Sequence, residues 1–76
     1  MNIENDIKKI IADMAQLKTN EINDEDLLID IGIDSLSLVE LIVRIENRVN
    51  IIFEDSDLNP EKLTMVGDLV KLALKV

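Results

Sequence analysis

The chain contains 76 residues, of which 47% are hydrophobic, and its 16 acidic and 8 basic residues give a net charge of −8. This length corresponds to one domain, residues 1–76, and the acidity argues against nucleic acid and anionic membranes as partners, because both bind cationic surfaces. The absence of cysteine and histidine excludes disulfides, cysteine-ligated zinc and a histidine-activated nucleophile.

The N-terminal segment carries Glu4 and Asp6 in place of a basic region, and no apolar run in the chain exceeds three residues. These features predict neither a signal peptide nor a membrane span, and together with the lack of cysteine they favour a cytoplasmic protein.

Apolar residues recur at helical spacing near the N-terminus, which predicts an amphipathic first helix over residues 3–17. Its apolar positions are Ile3, Ile7, Ile10, Ile11 and Met14.

A long connection, residues 18–34, follows the first helix. Its apolar residues indicate a loop held against the core, and an ordered connection of this length in a small domain is more often functional than a plain linker. These residues are Ile22, Leu27, Leu28, Ile29 and Ile31. The carboxylates of Asp24, Asp26 and Asp30 do not have the spacing of an EF-hand, so we interpret them as solvated surface charge and predict no metal site.

The second helix is the clearest element of the sequence and runs from Ser35 to about Val49. Asp34 is suited to cap its N-terminus, and Gly32 allows the chain to turn sharply just before it. One face of this helix repeats at positions i, i+3, i+4, i+7 and i+11, which predicts a single buried stripe. The stripe consists of Leu38, Leu41, Ile42, Ile45 and Val49.

Residues 50–53 are rich in β-branched side chains, but no other segment offers them a partner strand, so we predict an extended connection. The triplet Asn59-Pro60-Glu61 predicts a short third helix, because a capping residue precedes a proline at the first helical position. Thr64 is expected to cap the last helix. The predicted fold class is all-α: a small four-helix bundle with three longer helices, one short helix and a long first loop.

Ser35 lies where the first loop meets the second helix. A catalytic serine needs a general base within hydrogen-bond reach, and the missing histidine argues that this serine is acted upon by another protein. A plain helix-start role is the alternative. Leu36, Val39 and Val43 form a second apolar line beside the buried stripe, and an exposed line of this kind suits the docking of a partner.

Residues 30–36, Asp-Ile-Gly-Ile-Asp-Ser-Leu, and the Val-Glu-Leu of residues 39–41 resemble the attachment motif of acyl carrier proteins and the related peptidyl carrier proteins. The resemblance extends to the length, the acidity, the helix order and the long first loop. In this family a phosphopantetheinyl transferase moves 4′-phosphopantetheine from coenzyme A to a serine, and the thiol of the arm carries acyl or aminoacyl groups as thioesters. The resemblance implies that Ser35 is the attachment site and that the chain is not an enzyme.

The resemblance also implies that partners are recognised beside the serine. Asp34 and Leu36 would contact the transferase, and Val39, Glu40 and Val43 would face other enzymes. Partners are thus expected to be the transferase and the acyl- or aminoacyl-loading and condensing enzymes, which would meet a monomeric carrier through basic surfaces.

The second helix is less acidic than is usual in carriers of fatty acid synthesis. Its corresponding face holds Ser37, Leu38, Arg44, Asn47 and Arg48, with only Glu40 and Glu46 as acids. Three functions therefore stay open. They are a carrier of fatty acid or polyketide-type synthesis, a discrete aminoacyl or peptidyl carrier of a nonribosomal pathway, and an unmodified helical adaptor.

Overall fold

The computed structural model describes residues 2–59 and 61–75. Within these ranges the chain forms three α-helices, α1 (Ile3–Ala15), α2 (Ser35–Val49) and α3 (Val66–Lys75). Three short 3-10 helices lie between them, at Thr19–Glu21, Ile29–Ile31 and Asp55–Asp57. In the described part of the chain no helix is long and apolar enough to cross a membrane.

Helix α1 packs against α2 and α3 through its apolar stripe, with Ile7 and Ile11 fully buried. Its N-terminus is capped by Asn2, whose side-chain oxygen accepts a hydrogen bond from the Asn5 N–H at 3.1 Å. The helix ends at Ala15, earlier than the periodicity predicted, because Gln16 takes the left-handed conformation with a φ of 59°.

Helix α2 has the predicted bounds and the predicted cap. The Asp34 carboxylate accepts a hydrogen bond from the Ser37 N–H at 2.9 Å, and Asn50 ends the helix in the left-handed conformation. All five members of the predicted stripe are buried and form the centre of the core. Residues 51–53 follow without regular secondary structure, so the β-branched segment forms no strand.

The first loop is held to the start of α3 by backbone hydrogen bonds, which we call the main-chain clamp. Leu28 N–H donates to Thr64 O at 2.9 Å, Val66 N–H to Asp26 O at 3.0 Å and Gly67 N–H to Asp24 O at 2.9 Å. Ile22, Leu28 and Ile33 are buried beneath the clamp, so the loop is fastened to the core as expected. Leu27 and Ile29 remain exposed, which the sequence pattern did not predict.

The predicted short third helix is wrong for the described residues. Pro60 lies outside them, and the N–H groups of Lys62 and Leu63 both donate to Asn59 O, at 2.9 and 3.1 Å, in a turn that does not continue. Leu63 is buried and the next residue, Thr64, joins the main-chain clamp. The turn and the clamp leave few residues between them, and residues 2–59 and 61–75 form three α-helices where four helices were predicted.

The start of the last helix also differs from the prediction. Helix α3 begins at Val66, and the Asp68 carboxylate accepts hydrogen bonds from the N–H groups of Thr64 and Met65 at 3.1 and 3.0 Å. Thr64 does not act as the N-cap, because its hydroxyl donates to Asp68 and its carbonyl is occupied by Leu28. The helix packs on the core through Val66, Leu69, Val70 and Ala73, which are all buried.

Candidate functional site

A tight turn between two buried residues presents Ser35 at the surface. Gly32 follows the second 3-10 helix with a φ of 91°, a left-handed conformation that glycine adopts without strain. The next residue, Ile33, is buried and its N–H donates to Leu28 O at 2.8 Å. Ser35 is then the first residue of α2 and is exposed, so its hydroxyl is accessible to an enzyme.

Asp34 beside this serine is an exposed carboxylate that is kept ionised. The Ser37 backbone N–H, followed by the Ser37 side chain, holds the pKa of Asp34 below its ordinary value. The carboxylate caps the helix and adds negative charge next to Ser35. Asp34 and the exposed Ser35 therefore place a carboxylate and a hydroxyl side by side at the start of α2.

Two shallow grooves begin at Ser35 and are separated by Leu38. The loop-side groove, about 300 Å³, lies between the first loop and the start of α3. The helix-side groove, about 270 Å³, runs along α2 towards the 3-10 helix Asp55–Asp57. The loop-side walls are Leu27, Leu28, Ile29, Ile33, Leu38 and Leu63, and the helix-side walls are Leu38, Val39, Ile42, Val43, Phe53 and Leu58.

Neither groove supplies a group that would activate the serine. Among the described residues that line them there is no lysine or arginine, and the carboxylates present are Asp34 and Glu46. The Glu46 carboxylate accepts the Phe53 N–H at 2.9 Å and therefore serves the fold. The Asp34 carboxylate likewise accepts the Ser37 N–H at 2.9 Å, so both carboxylates among the described lining residues are engaged in backbone hydrogen bonds.

The predicted recognition residues lie on one exposed side of α2. Leu36 is 83% exposed, Val39 63% and Val43 48%, and the Glu40 side chain is 60% exposed beside them. Asp34 and Leu36 flank Ser35, and Val39, Glu40 and Val43 follow one to two turns further along α2. We call Leu36, Val39 and Val43 the apolar ridge.

The two arginines of α2 do not lie on the apolar ridge. Arg44 contacts Asp13 of α1 at 3.3 Å, and Arg48 approaches Asp6 at 3.8 Å. Leu38, also assigned to the outer face in the sequence analysis, is buried. Successive residues of an α-helix are rotated by about 100° around its axis, so positions 44 and 48 lie on the side of α2 that faces α1.

Two acidic residues of the first loop, Asp24 and Asp26, are engaged in local structure. Lys8 Nζ lies 2.9 Å from Asp24 Oδ1 and 3.2 Å from Glu4 Oε1, and its hydrogen bond to Asp24 raises the pKa of Lys8. Asp26 accepts the Asn23 N–H at 2.9 Å. Over residues 2–59 and 61–75, no three potential metal-ligating side chains are grouped closely enough to hold an ion.

Comparison with known proteins agrees with this geometry. Residues 5–73 match the family model described as "Phosphopantetheine attachment site". The acyl carrier protein of Chlamydia felis is 39% identical over 92% of this chain and 88% of its own length, and that of Buchnera aphidicola is 43% identical over 97% and 94%.

The fold has a counterpart in a solved complex. It is found in the crystal structure of Bradyrhizobium japonicum glycine:[carrier protein] ligase complexed with cognate carrier protein and an analogue of glycyl adenylate. The TM-score is 0.75 at 20% identity, with 99% of this chain and 100% of the matched chain covered. At this identity the likeness concerns the fold alone.

The family model and the relatives confirm two predictions made from the sequence. The cofactor is 4′-phosphopantetheine, covalently attached. The chain is a carrier that presents substrates to enzymes and is not itself catalytic. The chain belongs to the acyl carrier protein family, whose members share the phosphopantetheine attachment site.

Proposed function

We propose that Ser35 is the attachment site of 4′-phosphopantetheine and that the protein carries acyl groups between the enzymes of fatty acid or polyketide-type synthesis. The observation that carries this proposal is the position of Ser35. It is exposed at the start of α2, it lies where two apolar grooves begin, and the described residues that line these grooves include no lysine or arginine, while the adjacent Asp34 is engaged as the helix cap.

The residues around Ser35 fit a phosphodiester. The group would lie at the N-terminus of a helix of 15 residues, where backbone N–H groups and the positive end of the helix dipole favour an anion. Asp34 opposes this through like charge, but its carboxylate is already bonded to the Ser37 N–H. The exposed hydroxyl leaves space for a long arm, and the arm supplies the thiol that this cysteine-free chain lacks.

We also propose that the apolar ridge, with Asp34 and Glu40, is the surface that partner enzymes contact. Leu36 and Asp34 flank the serine and would contact the phosphopantetheinyl transferase, while Val39, Glu40 and Val43 would face loading and condensing enzymes. The ridge is small and isolated, and the chain is strongly acidic. These properties support transient contacts of a monomer with basic enzyme surfaces.

The relatives at 39% and 43% identity favour an acyl cargo over an aminoacyl or peptidyl cargo. Since the thiol of the arm must stay reduced to be loaded, we place the protein in the cytoplasm. A loading assay that compares acyl and aminoacyl donors would test the cargo directly. Aminoacyl loading alone would contradict the acyl assignment.

The attachment site is tested by incubating the apo-protein with coenzyme A and a broad-specificity phosphopantetheinyl transferase, followed by intact mass measurement. We expect one phosphopantetheinyl group on the wild-type chain and none on Ser35→Ala. Ser37→Ala is the matched control, because Ser37 lies two residues further along the same helix and should leave the modification intact. Modification of Ser35→Ala would refute the proposal by showing attachment at another residue. Absence of modification in the wild type would also refute it and favour an unmodified adaptor.

A further inference from the structure

A separate groove lies between α1 and α2 and shares no lining residue with the two grooves at Ser35. At about 550 Å³ it is larger than either of them. We call it the cationic groove, because three of its six lining residues are cations and one is an acid. Its lining consists of Lys9, Ile10 and Asp13 from α1 and Arg44, Asn47 and Arg48 from α2.

The cationic groove reverses the charge of the molecule as a whole. The chain holds 8 basic and 16 acidic residues, which give a net charge of −8. Three of the basic residues, Lys9, Arg44 and Arg48, meet at this groove, and all three are exposed. A local excess of positive charge on an acidic surface attracts anionic groups to one place.

We propose that the cationic groove is a docking site for an acidic segment of a partner protein, whose carboxylates pair with Lys9, Arg44 and Arg48. The groove does not include Ser35, so the inference does not depend on the attachment proposed above. It also does not include the apolar ridge, so a partner bound in the groove would leave the ridge available.

The arginines keep hydrogen-bond donors available for a partner. Arg44 donates to Asp13 at 3.3 Å through Nη1, while its Nη2 lies 3.8 Å from Glu40, beyond hydrogen-bond distance. Arg48 approaches Asp6 at 3.8 Å. Exposed ion pairs of this kind contribute little to stability. Carboxylates of a partner can therefore add to these contacts or replace them without disturbing the fold.

The arrangement of the cations suits a segment of protein better than a compact anion. Lys9 makes no ion pair within residues 2–59 and 61–75, and it faces the two arginines from the other helix. Ile10 is partly buried and offers apolar contact to the stems of acidic side chains. Phosphate would bring its whole charge near Asp13, whereas a segment can place single carboxylates at the separate cations.

A groove at α3 with several lysines is less suited to the same partner. It is lined by Lys62, Lys71 and Lys75, but also by Asp57 and Asp68. The excess of cations over acids is one there and two at the cationic groove. Lysine also presents a point charge, whereas the planar fork of arginine binds a carboxylate through two hydrogen bonds.

The inference is tested by NMR titration of the isotope-labelled full chain with decaglutamate, a purely acidic peptide. The backbone amide shifts give both the affinity and the position of binding. The wild type is compared with the double variant Arg44→Gln/Arg48→Gln and with Lys71→Gln/Lys75→Gln as the matched control. Each double variant removes two exposed cations at positions i and i+4 of a helix, so both change the net charge equally.

We expect saturable shifts at residues 9–13 and 44–48 of the wild type, although the peptide and the chain as a whole repel each other. The affinity should fall at least about fivefold in the arginine variant, as for the loss of two exposed ion pairs, and less than about twofold in the lysine variant. All substituted side chains are exposed, so folding is preserved. Ser35→Ala should bind like the wild type, which distinguishes this test from a failure of attachment.

Absence of saturable shifts in the wild type would overturn the inference. An equal loss of affinity in both double variants would also overturn it, because binding would then follow net charge and not the groove. A loss in the lysine variant alone would place the acidic segment at α3, with the same consequence. A parallel titration with inorganic phosphate completes the test. Saturation of the same amides by phosphate at lower concentration than by decaglutamate would show a small-anion site and overturn the assignment to a protein segment.

Discussion

The two sides of Ser35 are built in different ways. On the helix side, α2 is ordered by its own backbone and by one periodic stripe of buried side chains, with Asp34 as its cap. On the loop side, the main-chain clamp joins the first loop to the segment before α3, and single buried residues such as Ile33 anchor the loop in the core. The exposed face of α2 should therefore tolerate changes of side chain, because the helix backbone keeps its own order. The loop side depends on contacts between residues that are distant in sequence.

The largest expected change in stability distinguishes the buried face of α2 from its exposed face. Leu41→Ala removes a fully buried side chain from the centre of the core and should lower the free energy of unfolding by about 2–5 kcal/mol. Leu36→Ala makes the same change on the apolar ridge and should alter it by no more than about 0.5 kcal/mol. Urea unfolding of both variants measures the difference. Similar losses would contradict the assignment of Leu36 to a partner-facing surface.

An intermediate effect is expected at Asp34, where the loop side meets the helix side. Asp34→Ala removes the cap of α2 and should lower the Tm, while Asp34→Asn should preserve most of the stability because an amide oxygen also accepts the Ser37 N–H.

The pH dependence of the same substitution follows from the lowered pKa of Asp34 in the folded protein. A carboxylate with a lowered pKa stabilises the fold above its unfolded pKa and loses this contribution as the pH falls through the folded pKa. The Tm gap between wild type and Asp34→Ala should therefore be full at pH 7 and narrow below about pH 4. A gap that widens on acidification would show that the cap does not act through the ionised form.

The smallest effect should be confined to the loop side. Lys8→Met removes the ion pair with Asp24, which links α1 to the clamp, and should lower the free energy of unfolding by at most about 1 kcal/mol. We expect faster hydrogen exchange at the Gly67 N–H and unchanged exchange in the middle of α2. Lys9→Met on the exposed side of the same helix is the control. Equal acceleration in α2 would show that the two sides are not independent.

Periodicity predicted the helix side well and the loop side poorly. The stripe of α2 and its cap at Asp34 are local patterns of a few residues, and both are confirmed. The exposure of Leu27 and Ile29 has no local signature, because 3-10 turns are too short to show a repeat. The helix predicted at Asn59 followed a sound capping rule, but the hydrogen bond of Thr64 in the main-chain clamp holds the chain in a non-helical course.

At the candidate site, too, the local features were predicted from the sequence and the features that depend on distant residues were not. The motif around Ser35 and the absence of histidine and cysteine indicated a carried group from sequence alone, and the family comparison agrees. The direction of Arg44 and Arg48 was misjudged, because their acidic partners lie on α1 and far away in sequence. The two grooves were not foreseen, since each combines walls from α2 with walls from other segments of the chain.

The sequence by itself determined the helical class, the core stripe of α2, the cap at Asp34 and the family, because these depend on residues within one or two helical turns of each other. Only the tertiary structure decided how many helices form, which apolar side chains stay exposed, and that Ser35 lies between two grooves. Those outcomes depend on which distant backbone groups pair, such as Leu28 with Thr64. Such pairing is set by the best packing of the whole core and not by the local pattern.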